Sequence, residues 1–253
     1  MVRGMNKWQE FFAEYTNNYV LIGGAACSIY EEEYAQTPRA TKDLDIILIV
    51  EALSPDFGER FWKFIHQGKY TSRQRGENKH EYFRFLNPQD KTFPQQIEIF
   101  ARKTNILKVP EDIRIEPIHI DDALSSLSAI LMDDEYYNFT ISNCEVLDNI
   151  NIANTEALIC LKAKAFNDLQ RRKADGEKID SRDIDKHKKD ILRLSAMLSP
   201  NRKISLPTAI HNDMQEFIAS IENNLPSNDF IKAIGLNGVS CGDLLMVLRT
   251  AMG

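Results

Sequence analysis

The run Asp43-Leu44-Asp45-Ile46-Ile47-Leu48-Ile49-Val50 constrains this chain more than any other segment. Its latter half is apolar at every position, which suits a central strand covered on both faces rather than one with a wet side. Strand side chains alternate with period two, so Asp43 and Asp45 share one face while Leu44 and Ile46 turn to the core. Two carboxylates side by side at the leading end of a buried strand repel each other unless a cation lies between them. Hard divalent ions take oxygen ligands, and Mg²⁺ commonly uses one or two carboxylates together with substrate phosphates.

The neighbouring segments supply what such an ion pairs with. Tyr19-Val20-Leu21-Ile22 is a short apolar run that stops at Gly23-Gly24, and a helix is expected from about Ala25 to Glu33. Glycine between strand and helix lets backbone approach a ligand closely, and the free N–H groups of a helix start suit phosphate. Arg39, Thr41 and Lys42 lead into the acid pair, with Lys42 a candidate phosphate contact. Further on, Glu81–Leu86 and Gln96–Phe100 alternate and read as a hairpin-like pair with a longer loop at Asn87-Pro88-Gln89-Asp90. Glu98 lies between Ile97 and Ile99, so an acid shares a strand with core residues; metal binding is one reason for it. Arg73, Arg75, Lys79 and Arg84 form a small basic group whose plainest reading is an exposed hairpin rim.

Elsewhere the sequence is organisational. A helix is expected near Lys7–Tyr15 and another at Asp56–Gln67. A strand is expected within Ile113–Ile120, and short strands around Tyr137–Ser142. Composition then shifts, with helices expected at Thr155–Lys173, Ser181–Leu198, Thr208–Asn223 and Cys241–Met252. The expectation is an α+β chain with a mixed sheet flanked by helices over residues 1–124 and a mainly helical domain over 125–253. Four scattered cysteines, with no CxxC or Cys/His pairing, argue against structural zinc and against a disulfide framework. No GxSxG, HExxH or P-loop pattern occurs. No stretch approaches a membrane span, and no signal-peptide run follows the first residues, so a cytoplasmic protein with no membrane partner is expected. The net charge of −6 argues against a general nucleic-acid coat. Between Lys162 and Arg193, however, eleven Lys/Arg stand against seven Asp/Glu, a local surplus of four. In that stretch Lys164, Asp168 and Arg172 fall at i, i+4 and i+8 along one helix face. By spacing alone this is a surface ladder of ion pairs.

Taken together, LIGGAA, RATKDLDIIL and QIEIF resemble the signature of the polymerase-beta-like nucleotidyltransferase superfamily, over about residues 18 to 101. The gap from Gly24 to Asp43 is longer than usual there, and the third acid is Glu98 where Asp is commoner. Lys164-x-x-x-Asp168-x-x-x-Arg172, followed by Asp190, resembles two motifs of the AbiEii/AbiGii-like nucleotidyltransferase toxin family. The resemblance implies an Mg²⁺- or Mn²⁺-dependent nucleotidyltransferase. Asp43, Asp45 and Glu98 would be metal ligands, Gly23 and Gly24 would admit the NTP phosphates, and Lys164 would lie near them. Asp190 would act in the active site, with Asp168 and Arg172 supporting. It further implies a tRNA 3′ end as acceptor and a cognate antitoxin protein as partner. Nucleotidylation of a small molecule or a protein, or a non-catalytic nucleotide-binding module, are the competing readings.

Overall fold

The computed structural model describes residues 2–77, 80–102, 115–117, 133–199 and 201–253. By its contacts the chain divides into two compact units. The first comprises Met1–Ser28, Arg39–Leu124 and Cys144–Ala153; the second comprises Ile29–Pro38, Ser125–Asn143 and Asn154–Gly253. The division is therefore interleaved rather than a single cut, and the expected cut at 124/125 lies outside the described residues.

The first unit is built on a sheet. Its strands are β1 (Tyr19–Ile22), β2 (Asp43–Leu48), β3 (Thr71–Glu77), β4 (His80–Leu86), β5 (Gln96–Arg102), β6 (Ile115–Pro117), β7 (Cys144–Leu147) and β8 (Ile150–Ala153). Among the described residues eight strands lie in the order β6-β3-β4-β5-β2-β1-β8-β7. β2 runs parallel to β5 and antiparallel to β1, β4 is antiparallel to β5, and β1 is parallel to β8, so the sheet is mixed. The apolar run after Asp45 places β2 between β1 and β5, where both faces are covered: Leu44, Ile46, Ile47 and Leu48 are all buried.

α1 (Met5–Phe12), the start of α2 (Gly23–Glu33) and α3 (Pro55–Gly68) accompany this sheet. α3 starts where Ser54 Oγ accepts from Phe57 N at 3.2 Å with Pro55 at the first helical position, and it ends at Lys69 in the left-handed region. Its buried face, Phe57, Phe61, Trp62, Phe64 and Ile65, joins Trp8 and Phe12 of α1 in a continuous aromatic core.

The second unit is helical, with α4 (Asp134–Ser142), α5 (Thr155–Ala174), α6 (Ser181–Ser195), α7 (Thr208–Ile221), α8 (Asn228–Ala233) and α9 (Cys241–Met252). Asn154 caps α5 by accepting from Ala157 N at 2.9 Å, and a reciprocal Ser240–Asp243 capping box starts α9. Phe166 of α5 meets Phe217 of α7 edge-on at 5.0 Å. Leu192, Ile231, Ile234, Cys241 and Leu244 form a further apolar cluster.

Two readings of the sequence need correction. Tyr137–Ser142 belongs to a helix, because Asp133 caps it by accepting from Glu135 N and acids fill its first turn. The strands there come later, as the hairpin β7–β8, whose two-residue turn Asp148-Asn149 has both residues at positive φ. Thr71–Glu77, which holds Arg73 and Arg75, is a strand pairing with β4. Lys79 and the side chains of Arg73 and Arg75 lie outside what is described. Among the described residues no helix is long and apolar enough to cross a membrane.

Candidate active site

Strand register assembles the site. In the parallel β2–β5 ladder Asp43 lies opposite Gln96 and Asp45 opposite Glu98. In the antiparallel β4–β5 ladder Glu98 lies opposite Arg84, and on the other side Ile22 lies opposite Asp45. Residues directly opposite in a ladder share a face. One row across the sheet therefore reads Ile22, Asp45, Glu98, Arg84, and the adjacent row carries Asp43 and Gln96. The first row ends at the glycine turn, because Ile22 is the last residue of β1. Asp45 is 8% exposed and Glu98 4%, so both acids lie in surroundings where an unpaired charge is costly.

The turn itself is shaped around Asp45. Gly23 has φ +72°, a conformation that favours glycine, and a Cβ placed on it would lie 1.8 Å from Asp45 Oδ2. Only a residue without a side chain lets this carboxylate lie against the backbone. A Cβ on Gly24 would lie 2.9 Å from Thr41 Oγ1 and 3.1 Å from Arg39 Nη2. Arg39 and Thr41 thus pack on the turn, while Lys42 is exposed. Ser28, one turn into α2, donates from Oγ to Gly24 O at 3.0 Å, consistent with a structural role.

Glu98 is held from two sides. Its Oε1 accepts from Arg84 Nε at 2.9 Å and from Gln96 Nε2 at 2.8 Å. The Arg84 side chain is only 14% exposed, so this arginine is an inward ion-pair partner and not part of an exposed rim. Among the described residues no three His, Cys, Asp or Glu side chains are grouped so as to hold one metal ion. The donor chemistry of Asp43 and Asp45, two carboxylates on one face beside a glycine turn, suits a hard divalent cation. Glu98, expected as the third ligand, stands in the same row but gives Oε1 to the guanidinium and the amide.

The other expected site residues belong to the helical unit and are engaged there. Lys164 Nζ lies 2.8 Å from Asp213 Oδ2, which also accepts from the Tyr136 hydroxyl at 2.9 Å. Asn167 Nδ2 donates to the backbone carbonyl of Asp213 at 2.8 Å. Burial and the neighbouring Asp213 charge push the Tyr136 phenol well above its ordinary value. Asp190, 1% exposed, pairs with Lys162 at 2.7 Å. Arg172 bridges Asp168 at 3.7 Å and Glu177 at 2.7 Å, the ladder that spacing alone suggests.

Arg84 is the site residue that pattern reading placed on an exposed rim. Its signal was the one that found Glu98, a charged residue alternating with core residues, here between Phe83 and Phe85. Two such positions on paired strands indicate a cross-strand ion pair, but only if the register is known.

No family model matches this sequence, and no curated protein matches it. Among solved structures, one described as an antigenic nucleotidyltransferase-like protein from Paracoccidioides brasiliensis aligns over 95% of this chain and 90% of its own, with a TM-score of 0.48 and 12% identity.

Proposed function

We propose that this chain transfers a nucleoside monophosphate from an NTP to an acceptor hydroxyl, releasing pyrophosphate. The observation that carries the reading is the fit of Asp45 against Gly23, in a strand whose partner acid Asp43 shares its face. A buried carboxylate set against a glycine turn at a helix start is an arrangement for joining a cation to a phosphate chain. Asp43 and Asp45 would hold the divalent ion. When bound, that ion neutralises triphosphate charge and polarises the reacting phosphoryl group.

The remaining work belongs to the chain itself. The turn at Gly23-Gly24 admits the phosphates close to backbone, and Arg39 and Thr41, packed on Gly24, offer a guanidinium and a hydroxyl beside them. Phosphoryl transfer asks mainly for positioning and charge neutralisation, which such a site supplies without covalent help. The acceptor favoured here is an RNA 3′ end, specifically that of tRNA. This rests on the sequence resemblance to nucleotidyltransferase toxins alone, because most of the basic side chains between Lys162 and Arg193 are paired with acids. A cognate antitoxin is the partner that reading implies. Lys164, Asp168, Arg172 and Asp190 keep their place in the proposal as supporting residues of the helical unit, and no chemical step is assigned to them.

The test is incubation with each α-labelled NTP, Mg²⁺ or Mn²⁺, and total tRNA, with protein and aminoglycoside acceptors in parallel. Label is expected in the tRNA fraction. Asp43→Ala and Asp45→Ala are expected to abolish it while the fold persists by circular dichroism. A double variant that still labels any acceptor removes the site from the reaction, and label on an aminoglycoside alone replaces the acceptor.

A further inference from the structure

A cleft of about 620 Å³ lies between α5 and α6, and every residue lining it belongs to the helical unit. Its α5 wall carries Phe166, Gln170, Lys173 and Ala174, spaced so that all four share one helix face. The Lys164–Asp168–Arg172 ladder occupies another face of the same helix. Ser181, Ile184, Asp185 and Lys188 of α6 stand opposite, with Asn224 beyond α7. The two most buried of these residues are Phe166, 2% exposed, and Lys188, 7% exposed. A buried ammonium has to place three N–H donors. The chain accounts for two of them, at Asn224 O and Asp185 Oδ1, both at 3.0 Å. Among the described residues the third has no acceptor. Asp185 is itself shared, because Lys189 lies 2.6 Å from its other oxygen. Lys173 donates to the Ser181 hydroxyl and, among the described residues, meets no acid. Arg182, which also lines the cleft, is balanced by Asp180 at 2.6 Å. Lys173, Lys188 and Lys189 therefore stand against the single charge of Asp185, a local surplus of two.

We infer that this cleft is a second anion site, separate from the acid pair, and that it takes a phosphate monoester carrying a planar apolar body, the chemistry of a 5′-nucleotide. A phosphate monoester bears a charge of about −1.5 to −2 at neutral pH, which matches the surplus. The remaining N–H of Lys188 and the ammonium of Lys173 supply charge-assisted hydrogen bonds to its oxygens. Phosphate alone would leave most of the volume unfilled; the cleft has the size of a small-molecule site. Phe166 and Ile184 give the rest of the ligand an apolar surface, and the amides of Gln170 and Asn224 offer both donors and acceptors to a base edge. Lysines neutralise the charge here, so binding requires no divalent ion. The site goes beyond the transfer reading and does not depend on it. A free nucleotide and the 5′ end of an RNA present the same chemistry.

Isothermal titration calorimetry on the full chain in EDTA tests this, since a cation held by carboxylates then contributes nothing. The titrants are AMP, CMP, GMP and UMP, adenosine, inorganic phosphate, and a ribotetranucleotide with and without a 5′-phosphate. At least one nucleotide or the phosphorylated tetranucleotide is expected to bind once per chain, with adenosine and inorganic phosphate weaker by about tenfold or more. Lys188→Met and Lys173→Met are each expected to weaken binding by about 10- to 100-fold, the range for losing a charge-assisted hydrogen bond. Ala174→Trp, at an exposed position, fills the cleft and is expected to abolish binding, which keeps the test open should Lys188→Met fail to fold. Asp45→Asn is expected to bind as wild type does. Whether the nucleotide or the phosphorylated tetranucleotide binds more tightly names the source, and both outcomes support the cleft. Absence of binding by all phosphorylated titrants overturns the inference, as does affinity unchanged in both Lys173→Met and Ala174→Trp. A tetranucleotide that binds equally without its 5′-phosphate overturns the monoester assignment. Affinity lost in Asp45→Asn places the nucleotide at the glycine turn, which overturns the cleft and leaves the transfer reading standing. Cleft binding without label transfer to any acceptor defeats that reading alone.

Discussion

At Gly23 the backbone conformation and the neighbouring carboxylate make the same demand. A methyl group there would need a positive φ and would overlap Asp45 Oδ2, so Gly23→Ala must either move the acid or open the turn. The conformational part alone costs on the order of 1 kcal/mol. Displacing a reacting group by about 1 Å costs about 10²-fold in rate. The expected outcome is a folded, destabilised protein whose label transfer falls at least that far, read by thermal melting and the labelling assay together. Gly24→Ala is the milder control, since the atoms it meets belong to the side chains of Thr41 and Arg39, which can shift. The glycine pair and the acid pair were both legible as residues. That they touch was not, because contact between the end of β1 and the start of β2 depends on antiparallel register.

Within the helical unit, α5 and α6 are joined by a buried ion pair. Lys162 and Asp190 lie 2.7 Å apart with side chains 6% and 1% exposed. Removing one member leaves a charge in the interior, so Lys162→Met is expected to cost about 3 to 5 kcal/mol. Exchanging both, Lys162→Met with Asp190→Leu, is expected to recover most of that in chemical denaturation. The long helices were legible because their apolar positions recur with the helical period over many turns: Thr155–Ala174 and Cys241–Met252 fall within a residue of where the sequence puts them. The short elements were not. α8 spans six residues, too few to establish a period, and β7–β8 depends on a tight turn of Asp148-Asn149 that lacks the usual glycine. Lys162 shows the same limit at finer grain. Pattern reading selected Lys164 for its spacing, while Lys162, two residues away, is the lysine that meets Asp190.

Across the whole molecule, buried phenols set an upper limit on pH. Burial raises Tyr19 to about 12 in the sheet unit, and it also raises Tyr70 there and Tyr136 in the helical unit. Each is held neutral in the fold, Tyr70 by donating to Pro94 O at 2.7 Å and Tyr136 by donating to Asp213. A phenol whose folded value exceeds its unfolded value of about 10 contributes stability that is complete below that value. That contribution is lost progressively as pH rises above it, because only the unfolded chain then releases the proton. The melting temperature is accordingly expected to be flat near pH 8 and to fall steeply between about pH 10 and 12. The phenolate absorbance of Tyr70 and Tyr136 is expected to appear only with unfolding, and that of Tyr19 in the fold only near pH 12. Tyr136→Phe is expected to reduce the steepness; an unchanged profile in that variant excludes Tyr136 as a source.

The sequence alone determined the central strands β1 and β2, where the long helices run, and that two acids share one face beside a glycine pair. Those are consequences of local period and of residue type, and they need no partner. The tertiary structure decided which side chains meet across strands: Asp45 against Gly23, Glu98 against Arg84, Lys164 against Asp213 and Lys162 against Asp190. Each of these pairs joins residues from different elements, and strand register or helix packing sets their separation. A one-residue slip of β5 would turn Glu98 to the opposite face while leaving every local pattern in the sequence unchanged.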